Sequence, residues 1–560
     1  MHASLHAATL VGASASLVEV QVDLSLGLPG FYLVGLPDSA CIEARVRCQT
    51  AIKNSGFSLP QKRITVNLAP ADLRKEGAGF DLPIALGVLS AAGLLRGQSL
   101  PHAVVAGELS LRGEVLPARG VLPLALEARR SGVPTLIVPA ANAAEATLVK
   151  GLTVFGVRTL AEAAAHLSGE AVLEPAAASP PVAGPPYEVD LADVRGQLFC
   201  KRALEVTAAG GHNALLVGPP GSGKTMLARR LPTLLPDLSF EEAIEATSIW
   251  SAAGRLRPGQ GLLSRRPFRA PHHSVSMAGL VGGGSPPRPG EISLAHHGVL
   301  WLDELPEFNR SALEALRQPL EDGEVSIVRT RGSVTLPARF MLLAAMNPCP
   351  CGYDGAPGPK RCFCPPIVRE NYKRRLSGPL LDRFDLHVDA PALSPDELCS
   401  KGGGEETSAQ VRARVDLARA RQARRYASFP GTFANGQLHG TAVREVCALG
   451  PEAARTLRSA IESLHLSARA HDRILKVART IADLEESDAI GPGHVAEAIQ
   501  YRPLYRATRE TPELPDPPAQ KRRAPSHLHA TGAEPTAGAP RPAQTNRADG
   551  AATQQEREGT

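Results

Sequence analysis

Eight residues, GPPGSGKT at 218–225, have the types and order needed to hold a polyphosphate. Gly218, Gly221 and Gly223 let backbone N–H groups turn inward around phosphate oxygens. Pro219, Pro220 and Ser222 complete the loop. Lys224 reaches the β- and γ-phosphates, and the Thr225 hydroxyl suits Mg²⁺. The apolar run NALLV precedes the loop and MLARRLPTLL follows it, so the context is strand, loop, helix. The helix adds its positive N-terminal end to the anion site.

Hydrolysis needs more than a cradle. GVLWLDEL at 298–305 reads as a buried strand with two acids at its C-terminal end. Asp303 is expected to hold Mg²⁺, directly or through water, and Glu304 to polarise the attacking water. A third apolar strand, RFMLLAAMNP, ends at Asn347, a polar tip able to orient the same water. Further on, SGPLLDRFDLHV sets Arg383 among apolar residues. A lone arginine usually caps or solvates a helix. Here it is read as acting on a neighbouring subunit's γ-phosphate, which requires a ring or a dimer. Between Asn347 and Arg383 lie two Cys-x-Cys pairs, Cys349/Cys351 and Cys362/Cys364. Four thiolates suit tetrahedral Zn²⁺. Free thiols and a redox pair stay open, because Cys-x-Cys is less diagnostic than Cys-x-x-Cys.

The chain that must position these groups has 560 residues, enough for two to four domains each with its own core. It is 43% hydrophobic and 21% charged, a soluble globular balance, and only 4% aromatic, so aliphatic packing must dominate. No apolar run is long enough to span a bilayer, and the N-terminus lacks a secretory pattern. A cytoplasmic location and no membrane partner are expected. Nine cysteines, an odd number, argue against a disulfide framework. The net charge of +5 permits a nucleic-acid partner without arguing for one.

Along the chain, residues 1–167 alternate β-branched runs with helical spacing. ASLVEVQVDLSLG reads as a strand pair, ACIEARVRCQTAIKNSG as a helix, and KRITVNLAP and AVVAGELSL as strands. A Pro/Ala-rich linker covers 168–187. Residues 188–392 alternate strand and helix, the pattern of an α/β sheet, with the cysteine insert at 349–364. Residues 393–508 are helical, and the polar tail 509–560 is expected to be disordered. EDGEVSIVRTRGSVTLPARF at 321–340 reads as a β-hairpin whose tip carries Arg329 and Arg331, candidates for phosphate contact. The helix at 408–427 carries six arginines. A solvated face is the ordinary reading, with phosphate contact open. His272 and His273 lack neighbours at metal-ligand spacing, and a contact with DNA or an adjacent subunit is favoured for that loop.

DVRGQ at 193–197, GPPGSGKT, RPFRAPHHS at 266–274, GVLWLDELPEF at 298–308, MNPCPCG at 346–352, LSGPLLDRFDLHV at 376–388 and SARAHDRILKVARTIADLE at 467–485 form an ordered set. With GLPGFYLVGLPD and NLAPADLRKEGAGFDLPIAL nearer the N-terminus, they resemble the magnesium-chelatase-like AAA+ ATPases of the YifB/ComM family over about 1–508. That resemblance implies an α/β multidomain protein: a P-loop ATPase core with a helical lid, behind a Lon-protease-like (ribosomal S5-like) α+β domain. It implies that Asn347 is a sensor, Arg383 an arginine finger and Arg469 a second sensor on the lid, with Arg473 as the alternative. ATP and Mg²⁺ are the implied cofactors, with Zn²⁺ a candidate at the four cysteines. In the Lon-like region the Ser and Lys of a peptidase dyad fall on Gly79 and Leu122. Neither can be nucleophile or base, so proteolysis is rejected.

The family implies a homo-oligomer, a hexameric ring, that works on branched or single-stranded DNA as a helicase or branch-migration motor. Homologous recombination during natural transformation is the implied setting, with recombination proteins as further partners. Two other readings are a metal-chelatase motor subunit serving a porphyrin, and a protein-remodelling ATPase.

Overall fold

A computed structural model describes residues 1–95, 102–177, 187–257, 259–284, 287–329, 332–355, 361–393, 405–429 and 431–502. The glycine run at 401–404, residues 178–186 of the linker and the polar tail lie outside the described residues.

Residues 2–11 and 14–25 alternate buried and partly exposed positions, which makes each a strand with one face on a core. His2–Val11 and Ser14–Ser25 pair antiparallel across Gly12–Ala13. ASLVEVQVDLSLG is therefore one strand and not a strand pair. Its alternation runs on without a turn residue, and its partner is the preceding segment. The sheet has seven strands, in the order Gly30–Val34, Arg63–Ala69, Ser14–Ser25, His2–Val11, Ala103–Val105, Thr135–Pro139, Thr153–Val157. Helices Ser39–Asn54 and Asp81–Ala91 belong to the core on one face, and Val121–Arg130 to the core on the other. Leu122 is fully buried in that second core.

The second sheet is parallel throughout, in the order Phe268–Arg269, Val299–Leu302, Met341–Met346, Ala214–Val217, Leu386–Asp389. Its three inner strands, Val299–Leu302, Met341–Met346 and Ala214–Val217, are continuous apolar runs because both faces are covered. Leu216, Trp301, Leu343 and Ala345 enter one core, while Leu215, Leu300, Leu342 and Ala344 enter the other. Helices Ser408–Arg425 and Ala468–Leu484 pack on Leu198–Gly210, beside the first of these cores.

The helix at 408–427 ends at Arg425 and buries Val411, Val415 and Ala418. Its arginines are largely paired within the chain. Arg412 meets Asp237, Arg414 meets Glu205 and Glu406, Arg421 meets Asp488, and Arg425 meets Asp483. Arg419 donates to the Ala208 carbonyl. This helix binds the lid to the sheet domain.

Both sheets fall within one unit, Met1–Glu510. Helix Phe240–Ala252 joins them. Ser248 Oγ donates to Ala13 O at 3.1 Å, Gly120 N to Ser251 O at 3.0 Å, and Ser251 Oγ to Glu145 Oε2 at 2.6 Å. The hairpin Glu324–Arg329/Gly332–Pro337 buries Val325, Ile327 and Leu336. It packs so closely on Gly12 that a Cβ there would lie 2.4 Å from Val334. Arg331 and the Arg329 side chain lie outside the described residues.

Candidate active site

The C-terminal ends of three adjacent strands converge. Strand Ala214–Val217 opens into the phosphate loop, and helix Lys224–Leu234 follows. Gly221 and Gly223 adopt φ of +80° and +84°, which side chains disfavour. A Cβ on Gly218 would sit 2.1 Å from the Ala390 carbonyl oxygen. The loop is thus pinned to the end of the neighbouring strand, and Gly218 is required there.

Lys224 Nζ donates to Gly218 O and Pro219 O, each at 2.8 Å, and to Asn347 Oδ1 at 3.3 Å. Burial lowers its pKa, and the charges of Asp303 and Glu304 oppose that shift. Thr225 Oγ1 donates to Asp303 Oδ2 at 2.7 Å. A hydroxyl and a carboxylate held together beside a phosphate loop fit Mg²⁺, a hard cation that takes oxygen ligands. Glu304 follows with φ +53° and is more than half exposed, so its carboxylate projects from the strand end.

His273 Nδ1 stands 3.6 Å from Glu304 Oε2. Sequence reasoning assigned that histidine to an outside contact. The contact follows from strand pairing: RPFRAPHHS contains Phe268–Arg269, which pairs in parallel with Val299–Leu302, so the residues after both strands end near each other.

The four cysteines converge as well. Cys349 Sγ lies 3.3 Å from Cys351 Sγ and 3.6 Å from Cys362 Sγ, and all four sulfurs fall within 4.8 Å of one another. Zn–S bonds of about 2.3 Å in a tetrahedron separate sulfurs by about 3.8 Å, so the donor set fits the ion. The Tyr353 backbone N–H and the Cys349 thiol hold Cys351 down to about 6, which favours a thiolate. The knuckle also touches the nucleotide loop. A Cβ on Gly352, at φ +85°, would lie 2.3 Å from Pro220 Cδ.

A second cluster, Glu245, His296 and His297, has ligand atoms equally close together. Its hydrogen bonding argues against metal. The Arg339 backbone N–H donates to His296 Nδ1 at 3.0 Å, so Nδ1 is an acceptor and the proton sits on Nε2. That Nε2–H faces Glu245 at 3.1 Å and offers no lone pair. Burial lowers the pKa of His296 to about 4.

The arginines sit elsewhere. Asp385 N donates to Asn213 O, just ahead of strands Leu386–Asp389 and Ala214–Val217. Arg383 therefore lies at the N-terminal end of the sheet, a strand length of about 13 Å from the phosphate loop. It is only 8% exposed, and its guanidinium is ion-paired with Glu321. Arg473 Nη1 meets Asp385 Oδ1 at 2.5 Å and Arg383 O at 3.3 Å. Arg469 Nη1 lies 3.5 Å from Asp382 Oδ2. Arg469 thus sits beside Arg383, away from the phosphate loop of its own chain, because helix Ala468–Leu484 packs on Leu198–Gly210.

Residues 190–398 match the family described as "Magnesium chelatase, subunit ChlI". Residues 20–142 match "Subunit ChlI of Mg-chelatase", and 405–502 match its C-terminal region. The chain is 46% identical over 505 residues to the YifB protein of Salmonella typhimurium, covering 90% of this chain and 97% of that one. It is 46% identical over 506 residues to "Competence protein ComM" of Haemophilus influenzae, covering 89% and 96%. The chain belongs to the YifB/ComM family of magnesium-chelatase-like AAA+ ATPases. A more distant likeness, 25% over 187 residues, is to the "Zygotic DNA replication licensing factor mcm6-B" of Xenopus laevis, covering 33% of this chain and 19% of that one. As a family member it is an ATPase that uses ATP and Mg²⁺. Among the described residues no helix is long and apolar enough to cross a membrane.

Proposed function

We propose that this YifB/ComM relative is an ATP-driven ring motor, hexameric, that moves on branched or single-stranded DNA. Branch migration or strand displacement in recombination during natural transformation is its setting, and recombination proteins are its further partners in the cytoplasm. The observation that carries the reading is the separation of Arg383 and Arg469 from the phosphate loop of their own chain. Two arginines at one end of a sheet and a nucleotide site at the other make a complete site only when a second copy docks. Support for DNA comes from the relatives, one called a competence protein and another a replication licensing factor.

In this reading Gly218–Thr225 hold the triphosphate, with Lys224 exchanging its loop carbonyls for phosphate oxygens. Thr225 and Asp303 would hold Mg²⁺, which when bound neutralises phosphate charge. Glu304 takes a proton from the attacking water as the water's oxygen bonds to the γ-phosphorus and ADP leaves. Asn347 orients that water, and the neighbour's Arg383 and Arg469 stabilise the charge on the transferring group. Cys349, Cys351, Cys362 and Cys364 would hold structural Zn²⁺ and brace Pro220. Arg329 and Arg331 are retained as phosphate contacts.

The test is ATP-dependent displacement of a labelled strand from forked and four-way DNA, against a Glu304→Gln control. Displacement by the wild type alone is expected. ATP hydrolysis without displacement on any of these substrates would overturn the DNA reading and favour the chelatase motor that the family description names.

A further inference from the structure

A cleft of about 710 Å³ lies between the first sheet domain and the insertion that precedes the acid strand. Arg119, Arg255 and Arg288 line it, from three separate segments, and all three are exposed. Arg119 belongs to the turn before helix Val121–Arg130. Arg255 follows helix Phe240–Ala252, and Arg288 lies on the short strand Arg288–Pro289.

Among the described residues none of the three has an ion-pair partner. The helix at 408–427 is the contrast within the same chain, since four of its arginines are ion-paired. The acid in the cleft, Glu291, is engaged by Arg269 at 2.6 and 2.9 Å. Glu76 pairs with Arg74 at 3.6 Å and reaches Arg119 and Arg288 only through its field. Glu108 acts on Arg119 only through its field.

Capping of helix Phe240–Ala252 does not explain the cluster. Its last carbonyls already accept backbone N–H groups: Ile249 O from Ala253, Trp250 O from Arg255, Ser251 O from Gly254 and Gly120. The stem of Arg119 is nevertheless held in place. A Cβ on Gly254, at φ +67°, would lie 2.6 Å from Arg119 Cδ. Burial lowers the Arg119 pKa, and the nearby charge of Arg288 lowers it further. Like charges facing each other across a cleft favour a ligand that carries the opposite charge.

We propose that Arg119, Arg255 and Arg288 form a cradle for the phosphodiester backbone of a nucleic acid, shared between the two sheet domains. The inference rests on the DNA reading above and adds a site to it. Guanidinium forks suit phosphate oxygens, and a repeated phosphate answers three arginines from three segments better than a single anion does. The cradle is wired toward hydrolysis. His272 lines the same cleft, and its ring lies 4.0 Å from that of His273, which faces Glu304.

The test is equilibrium binding of a labelled single-stranded oligonucleotide across a salt series, with ATPase followed with and without DNA. The full chain carrying Arg119→Gln, Arg255→Gln and Arg288→Gln is compared with wild type. Loss of three phosphate contacts should flatten the log K against log salt slope by about 2, and weaken binding on the order of 100-fold near 0.1 M salt. DNA-stimulated hydrolysis should fall while hydrolysis without DNA stays at the wild-type rate. Arg255→Gln alone, in an exposed segment, should flatten the slope by about 0.7 and covers the case of a misfolded triple variant. An unchanged slope with wild-type DNA binding intact overturns the cradle and leaves the motor reading standing. Wild-type protein that binds no DNA overturns the motor reading itself. Loss of binding to an acidic peptide with DNA binding unchanged would assign the cleft to a protein partner and overturn the proposal.

Discussion

At the C-terminal end of the five-stranded sheet, each functional group follows directly from the strand that carries it. Gly218 comes after Val217, Asp303 after Leu302, Asn347 after Met346. At the N-terminal end Arg383, the proposed finger, is enclosed by segments far apart in sequence. Glu321 pairs with Arg383, Arg473 grips its carbonyl and Asp385, and Asn213 Nδ2 donates to the same carbonyl at 3.2 Å. One end offers groups to solvent, while the other holds its cation in a paired, nearly buried state. The first is built for a small ligand. The second has the form of half an interface, and in the proposed ring Arg383 would leave Glu321 to act.

The largest effect should come from breaking each end separately. Lys224→Ala and Arg383→Ala should each lower turnover by about 10³-fold or more. If the two ends meet only across subunits, an equal mixture of the two variants rebuilds whole sites. Random assembly in a ring then restores about one quarter of wild-type turnover. Steady-state ATPase of the mixture is the measurement, and no recovery would mean that Arg383 works within its own chain.

A smaller effect reads the N-terminal end by pH. Burial pushes His387, in the strand after Arg383, down to about 3, and Arg502 and Arg473 add to the shift. His296, packed before the acid strand, falls to about 4 through burial, with Glu245 opposing. Each folded-state pKa lies below the ordinary value of about 6.5, so the unfolded chain binds protons that the folded chain refuses. Stability is full above about 6.5 and declines as pH falls toward these values. Between pH 7 and 5 the two together should cost roughly 4 kcal/mol. Denaturant midpoints at several pH values check the sign. His387→Leu should show a shallower slope than wild type below pH 6.5, with the remainder carried by the other buried histidines.

Metal removal probes the brace on the phosphate loop. A zinc chelator, or Cys349→Ser, should lower thermal stability by several degrees and weaken ATP binding, because Gly352 abuts Pro220. Elemental analysis should find about one zinc per chain. A chain purified without zinc, with full ATPase, would remove the brace from the mechanism.

Sequence alone made the first end legible. A phosphate loop is contiguous, and the apolar runs before Asp303 and Asn347 could only be buried strands. The family motifs also named Arg383 and Arg469. They did not say where the lid lies, since that depends on packing between Ala468–Leu484 and Leu198–Gly210. His273 at Glu304, Gly352 on Pro220 and the arginine cleft were illegible for the same reason. Each joins segments whose distance is set by tertiary contacts. The strand-pair reading of residues 15–27 failed locally instead. Its turn, Gly12–Ala13, precedes the segment rather than interrupting it.

The subtlest prediction concerns Glu321. It is about half exposed, at the end of helix Arg317–Asp322, and it holds the Arg383 guanidinium within its own chain. Arg383 cannot reach a neighbour's phosphate while that pair is intact. A partly exposed ion pair is worth about 0.2–1 kcal/mol. Glu321→Gln should therefore change folding stability by less than about 1 kcal/mol, yet shift the protein concentration for half-maximal ATPase downward by about two- to five-fold. The direction carries the argument. If Glu321 only stabilised the fold, its loss would raise that concentration or leave it unchanged. If Glu321 competes with the neighbour's nucleotide for Arg383, its loss must lower it, and Glu321→Asp should fall between the two.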